Sequence, residues 1–101
     1  MVKHIVLFKL KEFPSKEEKA RKINQIKLGL LNLKAIIKEL QSIEVGVNEN
    51  PNEQYDIALT TTHNSMDELQ AYAVHPSHKA VSSIVREVME IRACVDYTFN
   101  P

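Results

Sequence analysis

The sequence predicts an α+β domain whose strands and helices run β-α-β-β-α-β, and three observations carry that expectation. Residues 2–10, 42–48, 55–62 and 93–99 alternate in side-chain character with the two-residue period of a strand. Two stretches between them repeat apolar residues every three or four positions, the period of a helix. Each helical stretch opens on a Ser-x-x-Glu capping box, Ser15 with Glu18 and Ser65 with Glu68. There the hydroxyl accepts a backbone N–H that the first turn leaves unpaired.

The first strand sets Val2, His4, Val6, Phe8 and Leu10 on one side and Lys3, Ile5, Leu7 and Lys9 on the other. Both sides are apolar at the centre, the pattern of a strand buried on two faces. Phe13-Pro14-Ser15 breaks the alternation. The helix that follows is expected to reach about residue 40, because Ile23, Ile26, Leu30, Leu33, Ile37 and Leu40 form one stripe. Gly29 either sits inside that helix or marks an irregularity. The second strand turns Ile43, Val45 and Val47 one way, and the cluster Asn48-Glu49-Asn50-Pro51-Asn52 joins it to the third as a hairpin. A run of threonines favours extended backbone in that third strand through β-branching. A short helix then places Leu69, Tyr72 and Ala73 inward until Pro76 stops or restarts it. A further helix spans about 77–90, with Val81, Ile84, Val85 and Val88 on one side. In the last strand Ala93, Val95, Tyr97 and Phe99 oppose Arg92, Cys94, Asp96 and Thr98.

This order is the ferredoxin-like signature, expected here as one domain over residues 1–101. Right-handed crossovers put both helical layers on the same side of one antiparallel sheet and leave the other side bare. The first and last strands carry apolar side chains on that bare side too, a patch of several hundred Å2. A homodimer with two sheets packed face to face, a dimeric α/β barrel, is the arrangement that covers it.

Composition narrows the partners. With 13 Lys+Arg against 13 Asp+Glu the formal charge is zero, which argues against nucleic acid or an anionic membrane as an obligatory partner. One cysteine gives no internal disulfide, and no signal peptide pattern opens the chain, so a cytoplasmic setting is expected. No charge-free run approaches the ~20 residues of a membrane span. No Gly-rich phosphate loop and no metal-ligand spacing is present, so neither cofactor nor metal is expected. His63 beside a turn is read as solvated, and Cys94 as a small core residue.

The stretch richest in chemistry is Tyr72-Ala73-Val74-His75-Pro76-Ser77-His78. Two imidazoles flank a proline between helices, where the positive end of a helix dipole disfavours the imidazolium. A neutral imidazole near pH 7 can take a proton. Spacing alone favours a plainer role, hydrogen bonds that cap the break. Asp96, centred in an apolar strand, needs a wet edge or a partner, and a histidine is a natural one. His4 lies among apolar residues on the Val6 and Phe8 face, where a satisfied core histidine is the commoner outcome.

The opening Val2-Lys3-His4-Ile5-Val6-Leu7-Phe8-Lys9-Leu10-Lys11, the strand Tyr55-Asp56-Ile57-Ala58-Leu59, the Tyr-x-x-His-Pro-x-His run and the terminal Asp96-Tyr97 resemble the stress-responsive A/B barrel domain (Dabb) family across the whole chain. The resemblance implies a ferredoxin-like protomer, a dimer closed through its sheets and a pocket between helices and sheet. By likeness to a plant polyketide cyclase it implies His78 as general base, Tyr72 assisting at a substrate carbonyl, and Asp96 holding the histidine. His4, Val6, Phe8, Ile23, Ile26 and His75 would line the pocket. The sequence departs from that cyclase in its aliphatic Ile23 and Ile26, and in Ile57 where the cyclase has a pocket histidine. The function expected is binding of a small apolar or carbonyl-containing molecule, with cofactor-independent aldol- or cyclase-like chemistry at His78. The alternatives are a non-catalytic stress-response or dimerisation protein and a cofactor-independent monooxygenase-like enzyme.

Overall fold

Alternation and capping place the elements where expected. The computed structural model describes residues 1–101 as β1 (Val2–Leu10), α1 (Lys16–Asn32), β2 (Ser42–Val47), β3 (Ile57–His63), α2 (Met66–Val74), α3 (Pro76–Val88) and β4 (Met89–Thr98). The strands form one antiparallel sheet in the order β2-β3-β1-β4, the ferredoxin-like arrangement. Both capping boxes form: the hydroxyls of Ser15 and Ser65 accept from the backbone N–H of Glu18 and Glu68. No helix is long and apolar enough to cross a membrane.

The core lies between one sheet face and the helices. Val6, Phe8, Ile57 and Leu59 from the sheet meet Ile26, Leu30 and Leu33 from the first helical region, with Tyr72 and Val85 from α2 and α3. Each such side chain contributes roughly 1.5–3 kcal/mol when fully buried. Asp56 ties three elements together at one corner. Its N–H donates to Phe8 O at 2.8 Å. One carboxylate oxygen accepts from Leu10 N at 2.7 Å. The other pairs with Lys19 Nζ at 2.9 Å, so the end of β1, the hairpin and the first turns of α1 are locked.

Several boundaries differ from expectation. The first helix stops at Asn32, and the chain tightens through a single 3₁₀ turn, Leu33–Ala35. A helix running on to residue 40 would be roughly 37 Å long, against roughly 30 Å for β1, and would carry the chain past the sheet it must rejoin. The early turn keeps Leu33, Ile37 and Leu40 buried while returning Gln41 N to Thr62 O. At the other end β4 begins at Met89, directly from α3, and Met89 already pairs with Leu10 across a register shift. The third strand begins at Ile57 and runs one residue further than expected, to His63 opposite Val2. Gly29 sits inside a regular α1, where an added Cβ would meet Val81 at an ordinary 3.5 Å.

The other sheet face is uncovered. Ile5 and Leu7 of β1 lie beside Ala93, Val95 and Tyr97 of β4, and Ile91, Val95 and Tyr97 are 39%, 54% and 43% exposed. Helices lie chiefly over β2, β3 and β1. Cys94, expected in the core, is therefore exposed: β4 is an edge strand that projects past the helical cover.

Candidate active site

The fold makes one cavity from an α3 stripe and the sheet below it. His78, Ser82 and Arg86 recur every four residues on α3, with Val85 beside them and Met89 following at the start of β4. The floor is His4, Val6 and Phe8 of β1 with Leu59 of β3; Leu30 of α1 and Arg92 of β4 close the sides. The cavity has a volume of about 150 Å3.

His78 is fixed through one nitrogen. Its Nδ1 lies 3.0 Å from Ala73 O. A carbonyl only accepts, so Nδ1 carries the proton, and in the neutral ring Nε2 keeps a free lone pair. No protein group pairs with that nitrogen. Burial holds the imidazole below its ordinary value; the Ala73 carbonyl opposes the shift, and the nearby positive charge of Arg86 and Arg92 adds to it. The ring is therefore neutral near pH 7 and able to accept a proton.

Tyr72 stands behind this base, its ring 4.5 Å from that of His78 and 4.9 Å from that of His63. Its hydroxyl is buried without a partner, and burial pushes its pKa up to about 12. It does not line the cavity. His63, expected in solvent, is fully buried. The helix-facing parity of β3 turns it inward, where Nδ1 donates to Glu39 O at 2.8 Å and Nε2 accepts from the Thr61 hydroxyl at 2.9 Å.

Asp96 does not hold His78. It lies directly across from His4 in the β1–β4 register, and its carboxylate meets His4 Nδ1 at 2.5 Å. Cys94 sits beside this pair, 3.6 Å from His4 Nδ1 and 3.7 Å from Asp96 Oδ1. Partial loss of solvent around the thiol, reinforced by the Asp96 carboxylate, pushes it up, so it stays protonated. These three side chains are the group whose ligand atoms lie close enough for a metal ion. Their imidazole–carboxylate separation of 2.5 Å is that of a hydrogen bond, shorter than the about 3.3 Å that tetrahedral zinc imposes between its ligands.

Of the residues that sequence points to, His4, Val6, Phe8 and His78 line the cavity. Ile23 and Ile26 do not: Ile26 is buried in the core and Ile23 packs against it, since α1 reaches the cavity only through Leu30. His75 caps α3, its Nδ1 accepting from Ser77 N at 3.0 Å, the plainer role that spacing favours. Sequence reasoning missed Ser82, Arg86 and Arg92. The four-residue spacing from His78 was the available signal for the first two.

A ferredoxin-like protomer with an imidazole open to an apolar cavity is the class that fold and site define. Residues 2–99 match the model of the Stress Responsive A/B Barrel Domain (Dabb), and the chain belongs to that family. It is 25% identical over 97 residues to olivetolic acid cyclase of Cannabis sativa, covering 96% of this chain and 95% of that one. It is similar to a dimeric protein of unknown function and ferredoxin-like fold from Bacteroides fragilis, at 46% identity and TM-score 0.91, covering 97% and 95% of the two chains. Hydroxynitrile lyase of Passiflora edulis shares the fold at 21% identity and TM-score 0.82, covering 98% of this chain and 93% of that one.

Proposed function

We propose that this protein binds a small apolar, carbonyl-bearing molecule beneath α3 and that His78 acts on it as a general base. One observation carries the reading: His78 Nδ1–H is pinned by Ala73 O while Nε2, neutral and unpaired, belongs to a side chain lining an apolar cavity of about 150 Å3. Nε2 takes the proton from the carbon next to the ligand carbonyl, and the C–H electron pair moves into an enolate. The proton is held as the imidazolium and returned to the rearranged product. Ser82, one turn on, accepts from Arg86 and so keeps its own hydrogen for the developing oxyanion. Tyr72 is a positioning residue that fixes the imidazole plane from behind. His4, its Nδ1 paired with the Asp96 carboxylate, is the polar side chain of the floor. The likeness to a cyclase supports a reaction of the aldol type.

The test is exchange of the α-protons of 2-hexanone and acetophenone in D2O, followed by 1H NMR. The protein is expected to accelerate it, and His78→Asn to lose 10²–10⁴ of that acceleration with the fold intact by circular dichroism. Exchange that survives His78→Asn contradicts the mechanism. A protein that accelerates neither ketone favours the non-catalytic reading.

The protein is also proposed to be a homodimer sealed through its open sheet face. The exposed Val95 and Tyr97 support this, as does the dimeric assembly of the Bacteroides fragilis relative. Light scattering is expected to give twice the 11.5 kDa protomer mass, and Val95→Asp to give a monomer.

A further inference from the structure

The cavity is graded in polarity. Val6, Leu30, Leu59 and Val85 are buried at its depth, whereas Arg86 and Arg92 are exposed at its opening. Its polar side chains are His4, His78, Ser82, Arg86 and Arg92, with no carboxylate among the lining residues. Neither guanidinium forms an ion pair, since the salt bridges join other residues. Arg86 is also held in place: its Nη2 donates to Ser82 Oγ at 3.2 Å, which lays the guanidinium along α3 toward the cavity. A ligand head that only donates hydrogen bonds, or that carries positive charge, finds two cations, while the Asp96 carboxylate beside the floor is already paired with His4. A planar anionic head finds two guanidinium forks suited to it.

Size restricts the rest of the ligand. A cavity of about 150 Å3 matches one known to accept benzene, so the buried part is about six carbons.

We propose that the cavity takes a small organic carboxylate, with an aryl or short alkyl group at depth and the carboxylate against Arg86 and Arg92. The inference rests on the cavity being a ligand site, as the proposed function has it, and adds the charge and size of what enters. The guanidiniums hold the head at the opening, which leaves the apolar end facing Val6, Leu30 and Val85.

The probes are benzoate, benzamide and benzylamine, titrated into the full chain and followed by NMR at the His78 imidazole and at the amides of Ser82 and Val85. Benzoate is expected to bind about tenfold more tightly than benzamide, with added salt eroding the difference, and benzylamine to bind weakest. The double variant Arg86→Gln/Arg92→Gln is expected to bring benzoate to the level of benzamide. Arg86→Glu/Arg92→Glu is expected to reverse the order in favour of benzylamine. Both positions are exposed, so neither change threatens the core. Equal binding of benzoate and benzamide, or a preference for benzoate that survives the double glutamine variant, overturns the carboxylate assignment and leaves the cavity reading standing. If none of the three probes shifts the cavity signals of a folded protein, the cavity reading falls with it.

Discussion

His63 and His78 are the same chemical group in two states of completion. Both stand against Tyr72, both give Nδ1–H to a backbone carbonyl, and burial holds both below their ordinary value. They differ at Nε2. Thr61 supplies a hydroxyl to His63, which is fully buried, whereas the second nitrogen of His78 is left to the cavity. One missing hydroxyl thus separates a structural histidine from one with a lone pair to use. A tautomer set by a carbonyl is common to both and cannot by itself mark a reactive site.

Exchanging each ring in turn tests that contrast at its largest. His78→Asn should remove 10²–10⁴ of the ketone-exchange rate, while His63→Asn should leave the rate per folded molecule unchanged. Stability should show the reverse. His63→Ala strands both Glu39 O and the Thr61 hydroxyl in the interior, and urea unfolding should show a loss of about 3 kcal/mol; His78→Ala should lose less than that. Thr61→Val makes His63 resemble His78 by freeing its Nε2, and should cost about 1 kcal/mol without creating a second reactive site, because His63 lines no cavity. A new exchange activity in Thr61→Val with His78 already removed would show that a free nitrogen suffices without a cavity.

Acid sharpens the comparison by acting on both rings together. Each imidazole is held below 6.5 in the fold, so below pH 6.5 the unfolded chain takes up protons that the fold refuses. Stability is therefore full above pH 6.5 and falls as the pH drops below it, until the folded rings also charge. Urea unfolding between pH 7.5 and pH 5 should show that slope, and His63→Ala should flatten it. The smallest effect is at the ring between them. Tyr72→Phe removes a buried hydroxyl that has no partner, and should stabilise the fold by up to about 1 kcal/mol while keeping activity. Lost activity would mean that the hydroxyl itself meets the ligand.

Much of the fold was legible because its signals are local. Capping boxes, strand alternation and helical periods need only a few neighbouring residues, and they put the seven elements in the right order. Helix length was not legible: Leu33, Ile37 and Leu40 fit one stripe on a straight helix, and only the reach of the sheet forces the turn after Asn32. His63 looked wet because Asn64-Ser65 follows it, yet its parity in β3 decides its burial. The partner of Asp96 was hidden for a related reason. Parity puts His4 and Asp96 on one face, but the register that sets them opposite each other is a property of paired strands. Beyond the spacing of Arg86 from His78, nothing local in the sequence marks Arg86 and Arg92, because the cavity they line is made only when α3 packs over the sheet.

Val88 ends α3 and Met89 begins β4 with no residue between, and Lys11 N clasps Val88 O at 2.8 Å at that junction. Helix and strand are consequently one bent lever. Whatever grips Ile91 and Val95 from beneath the sheet also fixes the tilt of the segment carrying His78, Ser82 and Arg86, so the roof over the chemistry is levelled from the opposite side of the molecule.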